Sequence, residues 1–109
     1  MDEKIKFSDW QKLDFRVGEV LQVDDHPNAD KLYVIMVDIG GKKIQIVAGL
    51  KQHYNKEDLV GEKIIVFTNL EPASFRGVTS QGMLLAAEKD GKVFYLTPEK
   101  EIGNGAKIR

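Results

Sequence analysis

From Phe15 to Val23 the chain reads FRVGEVLQV, alternating apolar and polar residues until the phase slips at Gly18. A period of two predicts a strand, and the slip predicts a bulge or sharp bend inside it. DDHPNAD (24–30) follows, dense in Asp, Asn and Pro, and reads as a loop. KLYVIMVDIGGKKIQIVAG (31–49) contains two β-rich runs meeting at Gly40-Gly41, a pair that tolerates the positive φ of a tight turn, so strands two and three form a hairpin. LKQHYNKEDLVGE (50–62) loses the alternation and predicts a short helix before Gly61; KIIVFTNL (63–70) is a fourth strand. GMLLAA and KVFYL flank EKDG (88–91), whose Asp-Gly pair predicts another hairpin, and Asn104-Gly105 predicts a turn near the end. At the start, Ser8 and Gln11 have the spacing of a capping box, which predicts a helical turn over 8–13.

Five or more short strands with one helical piece between the third and fourth fit an all-β fold, the five-stranded Greek-key barrel called the OB-fold, with short N- and C-terminal extensions. A β-sandwich is the alternative. The bend at Gly18 favours the barrel, in which one long strand must serve both halves of the closed sheet. At 109 residues the chain is expected to form one domain, 1–109.

Composition narrows the chemistry. Sixteen Lys and Arg against 17 Asp and Glu leave a net charge of −1, so nothing is held by bulk positive charge. Without cysteine there is no disulfide, thiol nucleophile or thiolate metal site. His26 and His53 are far apart and read as a turn histidine and a surface helix histidine, so neither a metal nor another cofactor is expected. No segment approaches the roughly 20 apolar residues that span a bilayer, and the expected setting is cytoplasmic. Ser80 lies in TSQG, which is not the G-x-S-x-G nucleophile elbow, so no enzyme is expected.

What remains are polar residues in loops beside strands. Barrels of this type hold ligand on the face of strands two and three and in the loops joining strands one to two and four to five. The first loop carries Asn28, Asp30 and Lys31; the second carries Asn69, Ser74, Arg76, Thr79, Ser80 and Gln81. Tyr33 is the clearest aromatic candidate for a base-stacking platform.

DFRVG (14–18), HPNADKL (26–32), IVAGL (46–50), NLEP (69–72) and RGVTSQGMLLAA (76–87) resemble, in this order, the tRNA-binding OB domain attached to the C-terminus (or forming the beta subunit) of many methionyl-tRNA synthetases. The same module occurs in free-standing dimeric tRNA-binding proteins and in a CsaA-like export-chaperone branch that binds unfolded polypeptide. The resemblance runs from Phe7 to Arg109. It implies a non-catalytic, structure-specific tRNA-binding module that delivers or retains tRNA, either standing alone or as a separated piece of a synthetase. Its expected partners are tRNA, a second copy in a homodimer and a methionyl-tRNA synthetase catalytic chain, with no membrane. The same resemblance implies an RNA-binding set of Asn28, Lys31, Lys43, Asn69, Arg76, Ser80, Gln81 and Met83. In that set Lys31, Lys43 and Arg76 meet phosphates, Ser80 and Gln81 offer hydrogen bonds, and Met83 gives an apolar contact. With so little excess charge, a fitted site reading folded tRNA is expected over single-strand binding.

Overall fold

A computed structural model describes residues 3–109. A five-stranded antiparallel sheet in the order β3-β2-β1-β4-β7 curls into a nearly closed barrel, the OB-type architecture. Its strands are β1 (Phe15–Asp25), β2 (Tyr33–Asp38), β3 (Lys43–Ala48), β4 (Lys63–Phe67) and β7 (Met83–Leu84). Two hairpins stand outside it, β5 (Ala73–Phe75) with β6 (Val78–Ser80) and β8 (Ala86–Lys89) with β9 (Lys92–Tyr95). The expected short helix lies between β3 and β4 as α2 (Lys56–Leu59), where the Asp58 carboxylate accepts from the Asn55 backbone N–H.

β1 serves two neighbours in succession. Phe15 to Glu19 pair with β4, and Glu19 to Asp25 pair with β2. The irregularity expected at Gly18 falls instead between Val20 and Gln22. Gly18 answers a different need, since a Cβ there would sit 2.5 Å from the Val37 side chain on the neighbouring strand. Alternation in the strands places Val20, Val23, Ile35, Val37, Ile44, Ile46, Ile64 and Val66 inward, and Leu50 and Leu59 from the segment between β3 and β4 plug the end.

Both hairpins read from the sequence have the turns expected of them: Gly40 and Gly41 have positive φ, as do Asp90 and Gly91. The helical turn near the N-terminus is α1 (Phe7–Trp10), but its N-cap is Lys6 and no side chain caps it, so the Ser8–Gln11 box does not form. Trp10 stacks on Phe15 at 5.5 Å, and Phe15 packs on Phe67 at 4.8 Å. The C-terminal segment returns to the same place, with Val17 N–H donating to Ala106 (2.9 Å) and Ile108 N–H to Phe15 (2.9 Å). The Asn104-Gly105 turn packs so tightly on the β2–β3 hairpin that a Cβ at Gly40 would lie 2.8 Å from the Asn104 carbonyl. Among the described residues, no helix is long and apolar enough to cross a membrane.

Candidate nucleic-acid interface

The loop 26–32 and the β5–β6 hairpin, almost 50 residues apart in sequence, are clasped together. His26 is buried, and its Nδ1 accepts the Asn28 backbone N–H at 2.9 Å. Nε2 therefore carries the ring proton and donates to the Phe75 carbonyl at 2.7 Å. Asn28 and Arg76 complete the clasp reciprocally: Asn28 Nδ2 donates to the Arg76 carbonyl and Arg76 Nε to the Asn28 carbonyl, both at 3.2 Å. Arg76 (φ 52°) and Gly77 (φ 89°) turn the hairpin in the left-handed region, where Gly carries no Cβ penalty. The clasp brings Asn28 and Arg76 together on an exposed edge, with Lys31 in the same loop.

Ser80 and Gln81 act on the barrel itself. The hydroxyl of Ser80 accepts the Val47 N–H (2.9 Å) and donates to the Gly82 carbonyl (2.8 Å), and the residue is only 3% exposed. The expected hydrogen bond from Ser80 to RNA therefore meets a hydroxyl already spent inside the protein. Gln81 Oε1 accepts the Gln45 N–H at 2.7 Å, its own N–H donates to Gln45 O at 2.8 Å, and Gln45 Nε2 reaches Thr79 O. The side chains of Ser80 and Gln81 thus substitute for a missing strand pair along the edge of β3. Gly82 makes this approach possible, because a Cβ there would stand 2.7 Å from the Phe67 carbonyl.

The remaining expected residues separate. Asn69 is exposed, yet its Oδ1 accepts the Asp14 N–H and its Nδ2 donates to Lys12 O, tying down the N-terminal segment. Lys43 starts β3 beside the Gly40-Gly41 turn, at the other end of the strand from Ala48, which pairs with Tyr33 next to the clasp. Met83 is exposed beside the hairpin. Tyr33 is buried and donates its hydroxyl to Tyr54 O (2.7 Å), so it is no stacking platform. His53 lies in a turn outside α2. Reasoning from sequence missed His26 as the bolt of the clasp and Phe75 as the exposed aromatic. The only signal for either was their place in loops expected to hold ligand. Among the described residues, Lys31, Lys42, Lys43 and Arg76 make no ion pair with a carboxylate, and no cluster of His, Asp and Glu could hold a metal.

At the opposite end, Asp14 sits between Arg16 (2.7 Å) and Lys107 (4.0 Å). Burial raises its pKa, but hydrogen bonds from Arg16 and Thr68 and the nearby Lys107 outweigh this and hold the carboxyl below the usual range. Around it, Ile5, Phe7 and Trp10 expose apolar surface, Phe7 by 69%, and with Leu13 line a groove of about 460 Å3.

Residues 15–107 match the family model described as "Putative tRNA binding domain". The methionine–tRNA ligase of Thermococcus onnurineus is 53% identical over 107 residues, which are 98% of this chain and 15% of that protein. The chain thus spans about one seventh of that relative's length. A MetRS-related protein of Pyrococcus horikoshii superposes with a TM-score of 0.91 at 34% identity, covering 98% of this chain and 99% of that one. The chaperone CsaA of Bacillus anthracis superposes almost as well, with a TM-score of 0.90 at 30% identity and coverage of 98% and 100%. The matched model covers most of the chain, and the chain belongs to the tRNA-binding domain family.

Proposed function

We propose that this chain is a non-catalytic module that binds folded tRNA on the surface built by the loop 26–32, the β5–β6 hairpin and Met83, and that it retains or delivers tRNA for a methionyl-tRNA synthetase. The observation that carries this is the clasp: it fixes Asn28 and Arg76 on one edge with Lys31 in the same loop, and among the described residues neither cation is engaged by a carboxylate. Few phosphate contacts with fixed geometry suit a chain of net charge −1, whose affinity must come from fit. Lys43, Gln81 and Asn69 extend the surface toward the other end of β3. The polypeptide-binding alternative has the CsaA likeness in its favour. Against it, the Gln45 and Val47 N–H groups on the β3 edge are already capped by Gln81 and Ser80, so no extended chain can add there as a strand. We further propose a homodimer through the apolar groove at Phe7 and Trp10, since contiguous apolar surface of this kind on soluble proteins marks an interaction site.

The test is a gel shift with total tRNA beside a titration with an unfolded, export-type polypeptide. Retarded tRNA with no polypeptide binding is expected, and the reverse result overturns the reading.

A further inference from the structure

Behind Ser80 and Gln81, which cap the edge of β3, lies a cleft of about 70 Å3 between the β5–β6 hairpin and the start of β7, lined by Val47, Leu70, Ala73, Phe75 and Met83, with Glu71 among its lining residues. Phe75 is 44% exposed, and Leu70 and Met83 expose comparable apolar surface. Phe75 is also the aromatic that the fold leaves available here, since Tyr33 is buried and Phe67 packs on Phe15. Its support is rigid: the Phe75 carbonyl is held by His26, and Phe75 pairs with Val78 across the Arg76-Gly77 turn. A ring on a backbone held in this way has only its own side-chain torsions to settle when something stacks on it.

Three observations select the occupant. Strand addition beside the cleft is blocked, because the outward N–H groups of Gln45 and Val47 on β3 are capped. Arg76 follows Phe75 directly and Lys31 lies across the clasp, and neither is engaged by a carboxylate among the described residues, which complements a phosphate backbone. The Glu71 carboxylate has no ion-pair partner among the described residues and is an acceptor for an exocyclic amine of a base. We propose that the cleft takes one unpaired RNA base, stacked on Phe75 and against Met83, with its flanking phosphates on Arg76 and Lys31. This inference rests on the tRNA-binding reading and adds to it a slot that reads an unstacked nucleotide.

The chain has three methionines, Met1, Met36 and Met83, so methyl-13C-methionine labelling gives three signals that single substitutions assign. On adding total tRNA to the whole chain, the Met83 methyl shifts upfield under the stacked base while Met36 stays in place. Phe75→Leu keeps the apolar volume but loses the ring, and weakens tRNA binding between about fivefold and a hundredfold. Phe75→Trp, with a larger face, binds at least as tightly as the original chain and guards against a Leu variant that fails to fold. An unmoved Met83 methyl at saturation, or equal affinity of the Leu, Trp and original chains, overturns the slot. So does a Met83 shift produced by unfolded polypeptide and not by tRNA. If Lys31→Ala weakens tRNA binding and Phe75→Leu does not, the slot alone falls; if the original chain binds no tRNA, the parent reading falls with it.

Discussion

The two ends of β1 finish themselves by opposite means. At its C-terminal end, past Asp25, the clasp is polar and complete: both ring nitrogens of His26 are engaged, and Asn28 and Arg76 exchange hydrogen bonds. At its N-terminal end, before Phe15, the Trp10–Phe15–Phe67 stack is continued by apolar surface that nothing among the described residues covers, at Ile5 and Phe7. A region satisfied by directional bonds is rigid without a partner and can present side chains to one. A region satisfied only in part by apolar contact gains by acquiring a partner, because burial is non-directional and proportional to area.

The comparison breaks first, and most visibly, at the apolar end. Phe7→Ser with Trp10→Ser removes two large apolar groups that a two-fold interface would bury twice, costing on the order of 4 kcal/mol of association. Light scattering at micromolar concentration should then fall from twice 12.3 kDa to 12.3 kDa. A mass of 12.3 kDa for the original chain, unchanged on tenfold concentration, removes the dimer.

At the polar end, His26→Ala leaves the Phe75 carbonyl and the Asn28 N–H without partners and should cost about 3 kcal/mol in chemical denaturation. Near-isosteric variants sharpen this. Gln can reach the Phe75 carbonyl as the Nε2 of His26 does, whereas Asn can replace only the Nδ1 contact; tRNA affinity should therefore survive better in His26→Gln than in His26→Asn. Equal loss in both would mean that the bond to Phe75 does not position the hairpin.

Smaller effects are expected from the exposed cations. Lys31→Ala and Arg76→Ala should each weaken tRNA binding several-fold and reduce the slope of affinity against salt by about one; Lys31→Ala should leave the melting temperature unchanged, whereas Arg76→Ala, which also removes the hydrogen bond to the Asn28 carbonyl, should lower it slightly. Two variants that bind like the original chain would take both residues out of the interface.

The smallest effect is a dependence on acid. Because the pKa of Asp14 is lowered in the folded chain, its contribution is present above the ordinary carboxylate pKa and is lost as pH falls through the lower folded value. Stability measured downward from neutrality should stay flat until below about pH 4 and then decline, and Asp14→Asn should flatten that last part of the curve.

How far all this could be read beforehand depends on how far apart the interacting residues are. Alternation made β1 to β4 legible because each strand carries its own core face, and Gly40-Gly41 and Asp90-Gly91 announced their hairpins locally. Arg76-Gly77 makes the same kind of turn, but Arg is not a residue that signals positive φ, so β5 and β6 were read as one loop. The polar look of TSQG was misleading for a related reason. Ser80 is polar because it caps Val47, 33 positions earlier, and no local pattern carries that information. For the candidate site, residue types point to the two loops that carry Asn28, Lys31 and Arg76, while the bolt that joins those loops depends on a carbonyl at Phe75 that any residue could have supplied.

The return of the C-terminal segment to Phe15 also bears on how such a barrel can be used as a part. Gln11 near one terminus and Arg109 at the other line a single groove, and the clasp lies beyond the far end of an eleven-residue strand, on the order of 30 Å away. A fluorophore, surface linker or second protein attached beside Gln11 or at Arg109 would hang from the end opposite the clasp, leaving that edge facing outward as on a handle.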